Sequence, residues 1–266
     1  MAPRSIWNGT ITFGMVNVPV KLYSAVQPKS IRFSEVHVRD GASIEHRRIC
    51  PKESREVPFK EIAKGYETSS GKYVVLDEDE IKAAAGDRGK VVHVEEFVNA
   101  TDVDPTFFEK TYYVGSRDDE NAYRVLFEGL RKSGRAGIGR FTFHDREYLV
   151  ALRAVNDVIA LHTLRFHDEV VPGSEVAPTG EGRKPSKQEV EMANRLVDSL
   201  SRKFGPTDYE DTYREAVLDL IRRKARGKEI DLAEQEEPEH GDDLAAALEA
   251  SLGGSNGRSK RTKAKA

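Results

Sequence analysis

The sequence predicts a mainly β protein with α-helices: an antiparallel sheet or barrel, then a helical region, then a charged tail. Three observations carry this. From Ile6 to Phe166 the chain is written in short runs rich in Val, Ile, Thr, Tyr and Phe, punctuated by turn residues. From Ser186 onward the apolar residues recur at helical spacing instead. After Ile230 acids and then bases replace apolar residues, so that stretch cannot bury a core and is expected to be disordered. The expected divisions are residues 1–185, 186–230 and 231–266.

Taken in order, Thr10–Phe13, Val18–Tyr23, Ile31–Val38, Ser43–Ile49, Tyr73–Leu76, Val91–Val98 and Lys110–Val114 read as strands. A helix is expected over Asp118–Lys132, with Ala122, Tyr123, Leu126, Phe127 and Leu130 on one face and Gly134 free to end it in the left-handed conformation. Gly137–Phe143, Glu147–Arg153 and Val158–Phe166 then form a meander, turning at His144-Asp145 and Asn156-Asp157. Val171–Pro185, crowded with Pro, Gly, Ser and Glu, reads as a linker. Ser186 and Glu189 stand in capping-box spacing before a helix expected to bury Ala193, Leu196, Val197, Leu200 and Phe204. A second helix from Asp208 is expected to bury Tyr209, Tyr213, Ala216, Val217, Leu220 and Ile221 and ends on basic residues, Arg222, Arg223 and Lys224 among them. A short helix over 242–252 would align Leu244, Leu248 and Leu252 on a narrow stripe.

Composition narrows the function. No apolar run approaches the roughly 18 residues that cross a bilayer, and Met1–Phe13 lacks the apolar core of a signal peptide. One cysteine, Cys50, allows neither an internal disulfide nor a multi-thiolate metal site. A cytoplasmic protein is expected. The net charge of −3 is a sum over unlike regions: residues 229–249 hold nine acids and no Lys or Arg, residues 250–266 hold five bases and no acid, and residues 1–228 are left at +1. Within that body, Lys21–Lys64 holds ten Lys or Arg against six acids.

Catalytic chemistry is not written in the chain. Gly137-Ile138-Gly139 sits inside a strand pattern with no helix after it, so it reads as strand glycine at a bend rather than a phosphate loop. His144-Asp145 and His167-Asp168-Glu169 lie at strand ends with no further ligand spaced to join them. No motif places a general base beside Cys50. No cofactor or metal is expected. A nuclease-type enzyme would need clustered carboxylates to hold metal ions, and that alternative stays open.

The basic stretch offers more. Ile31–Val38 and Ser43–Ile49 flank Arg39-Asp40-Gly41 and are expected to form a long hairpin, about 26 Å over eight residues. Its polar positions are mostly Arg and His. Such an arm can track phosphates along a duplex irrespective of sequence, with Arg32, Arg39, Arg47 and Arg48 as leading candidates and Lys21, Lys52, Arg55, Lys60 and Lys64 behind them. The alternative is a solvated face on a protein that binds only other proteins. The basic end, with Lys260, Arg261, Lys263 and Lys265 after a Gly-Gly-Ser-Asn-Gly tether, either reaches phosphates or serves solubility.

The block Ile6-Trp7-Asn8-Gly9-Thr10-Ile11-Thr12-Phe13-Gly14-Met15-Val16-Asn17-Val18-Pro19-Val20-Lys21-Leu22-Tyr23 resembles the opening of the bacterial Ku proteins. The likeness continues through Arg32-Phe33, Lys64-Gly65-Tyr66-Glu67, Tyr73-Val74-Val75-Leu76, Asp104-Pro105 to Tyr113, and Asp211-Thr212-Tyr213. It implies a β-barrel with long hairpin arms that meet those of a second copy in a dimeric ring around double-stranded DNA ends. It also implies a partner, the ATP-dependent DNA ligase D, docking on the C-terminal part: either the basic helix end or the Leu244, Leu248, Leu252 stripe. Many relatives carry Cys-x-x-Cys-Gly after the basic strand. Here Cys50-Pro51-Lys52-Glu53-Ser54 keeps only the first cysteine, so any zinc or disulfide role of that pair is lost.

Overall fold

The computed structural model describes residues 4–85, 90–143, 146–178, 180 and 183–227. The His144-Asp145 turn, the 242–252 helix and the basic end lie outside them. The chain divides into two compact units, Met1–Glu175 and Val176–Ala266.

The first unit opens with strands β1 (Trp7–Phe13) and β2 (Val16–Ser24), joined through Gly14, whose φ of 56° suits a residue without Cβ. An arm follows, residues 25–90, with β3 (Ile49–Cys50), β4 (Arg55–Glu56), β5 (Lys64–Glu67), β6 (Tyr73–Leu76) and helix α1 (Glu78–Ala85). The chain then returns through β7 (Val91–Asn99), β8 (Phe108–Ser116), α2 (Glu120–Ser133), β9 (Arg135–Phe143), β10 (Arg146–Val155) and β11 (Val158–Leu164).

The seven long strands close into a barrel in the order β1, β2, β8, β11, β10, β9, β7, and back to β1. Six neighbouring pairs are antiparallel, but the closing pair, Thr10–Thr12 with Val91–His93, is parallel. The purely antiparallel expectation is corrected here, and the reason lies in the arm. With β2 antiparallel and β7 parallel to the same strand, the arm departs after Ser24 and returns before Val91 at one end of the barrel.

Period-two alternation fills the interior: Ile11, Val18, Val20, Leu22, Val92, Val114, Val150, Leu152, Ile159 and Leu161 are all buried, and Trp7 meets Phe141 edge to face at 5.1 Å. Each buried side chain of this size contributes roughly 1.5–3 kcal/mol. Helix α2 lays Leu126 and Leu130 against this core, with Ala122, Tyr123 and Phe127 beside them, as the sequence leads one to expect. Asp119 caps it by accepting from the Ala122 N–H at 2.9 Å, and Gly134, at φ 64°, ends it. The Tyr123 hydroxyl donates to the Val114 carbonyl (2.8 Å) and accepts from the Ile159 N–H (3.0 Å), tying α2 to two barrel strands. Gly139 is a strand glycine, as expected: a Cβ there would lie 2.0 Å from the His93 carbonyl oxygen, beside the bulge between Val94 and Glu96.

His162 on β11 is 5% exposed. Because an arginine Nε–H can only donate, the 3.0 Å contact from Arg153 Nε makes His162 Nε2 the acceptor, which puts the proton on Nδ1 to donate to Thr111 Oγ1 at 2.9 Å. Burial first, and the Arg153 charge second, push the imidazole pKa down to about 4. The unfolded chain therefore takes up a proton near pH 6.5 that the fold refuses until about pH 4. This stabilisation is full above pH 6.5 and is lost as pH falls through that window, by up to about 3 kcal/mol. Urea titrations at pH 7.5 and pH 5 should show about 2 kcal/mol of that loss in the wild type and a smaller one in His162→Gln; equal losses would refute this account.

In the second unit, α3 (Lys187–Leu200) starts at the predicted capping box: Ser186 Oγ accepts from the Glu189 N–H at 3.3 Å, and Glu189 accepts from the Ser186 N–H at 2.6 Å. Arg183 also donates to Glu189. That bond first, then the Ser186 donors, hold the carboxyl down to about 2. Helix α4 (Thr212–Ala225) is capped by Asp211. The predicted bounds shift here. Residue 208 belongs to a separate turn, Pro206–Asp208, and the first helix stops before Phe204, whose ring stacks on Tyr209 at 5.6 Å. The expected burial is met only in part: Ala193, Leu196, Val217 and Leu220 are half-buried, but Val197, Leu200, Phe204, Tyr209 and Tyr213 are all more than 60% exposed.

Candidate nucleic-acid interface

The arm is three short hairpins in succession rather than one long one. Around Arg39-Asp40-Gly41 the two segments meet in one bridge, Val36 with Ser43, with flanking bonds from His37 N to Ala42 O (2.7 Å) and Ile44 N to Glu35 O (3.1 Å). Asp40 tightens the tip by accepting from the Ala42 N–H and pairing with His37 Nδ1 at 2.9 Å, which lowers its carboxyl pKa. The expected eight-residue strands are absent because Ile31–Val38 and Ser43–Ile49 have no third strand to bury a face against, and a lone two-stranded ribbon is marginal in water. Next, β3 pairs with β4 through the turn where the Cys-x-x-Cys-Gly pattern departs. Ser54 occupies the left-handed region there (φ 51°), a backbone conformation suited to the glycine that those relatives carry. Last, β5 pairs with β6, setting Lys64 opposite Leu76.

Every arm candidate, Arg32, Arg39, Arg47, Arg48, Lys52, Arg55, Lys60 and Lys64, is exposed. They divide into three groups. Arg47 meets Glu45 (3.2 Å) and Glu56 (3.6 Å), and Arg55 meets Glu53 (2.5 Å) and Glu61 (3.2 Å), so each is already partly neutralised. Arg48 lies over the Phe59 ring at 5.5 Å. Arg32, Arg39, Lys52, Lys60 and Lys64 make no ion pair among the described residues, and Lys60 and Lys64 line one cavity of 430 Å³ with Phe59 and Asp77. Lys21 is set apart from these, on β2 between Asn8 and Gly115 on the barrel wall. Arg222, Arg223 and Lys224 are exposed at the end of α4, with Arg223 held by Asp219. Lys260, Arg261, Lys263, Lys265, Leu244, Leu248 and Leu252 lie outside the described residues.

Sequence reasoning passed over the cations of the barrel wall. Arg140 on β9 bonds Glu147 (2.7 Å) and Glu95 (3.1 Å), Arg146 lies over Tyr148 (5.3 Å), and Arg153 lies over Phe108 (5.1 Å) while donating to His162. The signal was present, since Arg140 and Arg153 fall on outward positions of strands whose alternate residues are core. Among the described residues, no group of three His, Cys, Asp or Glu side chains stands close enough to hold a metal ion, and no helix is long and apolar enough to cross a membrane.

This architecture agrees with comparisons to known proteins. Residues 12–192 match the family model described as the Ku70/Ku80 beta-barrel domain. A non-homologous end joining protein Ku of Anaeromyxobacter sp. (strain K) is 44% identical over 94% of this chain and 85% of its own length. Similarly named proteins of Bacillus subtilis (35% identical, 94% and 81% covered) and Mycobacterium tuberculosis H37Rv (36%, 94% and 94%) match over the same share of the chain. The barrel, the arm between its second and seventh strands and these likenesses together show that the chain belongs to the Ku family.

Proposed function

We propose that this protein binds the ends of double-stranded DNA irrespective of sequence, as a homodimeric ring. In this reading it recruits and stimulates ATP-dependent DNA ligase D in double-strand break repair by non-homologous end joining, in the cytoplasm, and performs no catalysis itself. The observation that carries it is the arm: a basic excursion rooted at one end of the barrel, exposing cations with no acid partner beside apolar side chains, Phe33, Val36 and Val38 among them, that nothing in the described chain covers. A second copy would cover that apolar surface and close the ring, while the cations face phosphate. The names of the relatives support the pathway.

Salt dependence tests the phosphate contacts. Arg32→Ala with Arg39→Ala should weaken binding alike on all linear duplexes and flatten the slope of log affinity against log salt by about 0.9 per lost contact. Arg47→Ala with Arg48→Ala should flatten it less, since Arg47 begins paired with Glu45 and Glu56. Unchanged slopes in folded dimers would return these residues to the role of a solvated face.

Ligase docking is placed in the C-terminal part, on the basic end of α4 or on the Leu244, Leu248, Leu252 stripe. Truncation after Ile230 and charge reversal of Arg222, Arg223 and Lys224 should both leave end binding intact. The variant that loses stimulation of ligase D identifies the docking element, and full stimulation by both would move it to the barrel.

A further inference from the structure

A groove along α2 takes no part in the reading above. Phe13, Phe97, Val125, Leu126, Gly129 and Leu130 line it, with Ser133 and Arg135 where the helix ends, and its volume is 340 Å³. It opens where the parallel pairing of β1 with β7 stops after Thr12 and His93; beyond that point Phe13 and Phe97 meet edge to face at 6.1 Å.

Three features of its lining point outward. Val125 is 67% exposed on a helix whose other face is core. Gly129, one turn later, stands in mid-helix, where only proline is a poorer helix former. Among the described residues nothing requires that glycine, since a Cβ there would meet none of their atoms within 4 Å and its φ is not left-handed. What the missing side chain provides is close access to the α2 backbone from outside. The third feature is charge. Arg124 meets Glu120 (3.4 Å), and Arg131 and Lys132 meet Glu128 (2.8 and 3.8 Å), but the Arg135 guanidinium has no ion-pair partner among the described residues and is the one charged group lining the groove.

We propose that this groove receives an amphipathic helix from a partner protein: two apolar side chains one turn apart enter over Phe13 and Phe97, the helix backbone approaches α2 at Gly129, and a carboxylate meets Arg135. Val125 to Ser133 spans about 12 Å of helix axis, which matches two turns of a docked helix. The missing anion on Arg135 selects an acidic helix over a basic one.

The test uses the full chain and two fluorescent helical peptides, one of Ala and Glu with two Leu four residues apart, the other with Lys in place of Glu. The acidic peptide should bind at least about tenfold more tightly, and Arg135→Glu should reverse that preference. Gly129→Leu fills open space and improves helix propensity, so its melting temperature should not fall, while acidic-peptide binding should drop at least about tenfold. Equal binding of both peptides, no binding at millimolar concentration, or unchanged binding by Gly129→Leu would overturn the proposal. A change of oligomeric state in Gly129→Leu or Val125→Asp would also overturn it, because the groove would then be a contact between copies.

Discussion

Closed circular duplex should fail to compete with linear duplex of the same length and sequence, by at least about a hundredfold in the concentration needed. The expectation follows from topology. A ring closed by two arms admits a duplex only where the duplex ends, and a circle offers phosphates of identical number and spacing but no end. Non-specific phosphate contact alone would rank the two substrates equally, because it depends on charge density and salt. Filter binding at two salt concentrations, with the circle and its linearised product as competitors, separates these cases. Raising salt should weaken both interactions but leave their ratio large. If the circle competes as well as the linear form, the arms do not encircle DNA, and the basic arm is an open binding face.

Gly139→Val should abolish or severely lower the stability of the barrel. At this position β9 passes β7 so closely that a first side-chain carbon would lie 2.0 Å from the His93 carbonyl oxygen and 2.9 Å from the Val94 Cα, both backbone atoms that cannot rotate away. Accommodating a branched side chain means separating two central strands or reversing the bulge at Val94–Glu96, at a cost of at least about 3–5 kcal/mol. Against a total of roughly 5–15 kcal/mol, that is a fall in melting temperature of about 10 °C or loss of soluble protein. Gly173→Ala is the control, as a Cβ there meets nothing within 4 Å. An unchanged melting temperature for Gly139→Val would contradict the pairing of β7 with β9.

What could be read from the residues depended on where their partners lie. The barrel strands were legible because alternation in Val18, Val20 and Leu22, or in Val150 and Leu152, has its cause inside the same chain: each second side chain enters one shared core. Helix α2 was legible for the same reason, and its end residues, Asp119 and Gly134, act locally. The parallel seam was not legible, since three pairs between residues 10–12 and 91–93 leave no trace in local pattern. The arm misled in the other direction. Ile31–Val38 has the β-branched content of a strand, but both its faces are exposed and only the bridge at Val36 forms. The stripes of α3 and α4 likewise predicted full burial, but their members at Val197, Leu200 and Tyr213 stay exposed. As for the candidate site, charge located the arm, but which cations are free and which are spent on Glu45, Glu53, Glu56 or Glu61 depended on turns of only a few residues.

The rooting of the arm on the two neighbours of β1 sets the terms on which this protein can change size. Ser24 and Val91 are rooted on the two strands that flank β1, held there by a barrel that closes without any residue between them. Tethering the two ends of an insertion costs entropy only as the logarithm of its length, about 0.6 kcal/mol for each doubling. The arm can therefore lengthen, shorten or exchange whole hairpins over generations while the barrel keeps its stability, so the basic arm and the hydrophobic core are free to evolve as separate traits.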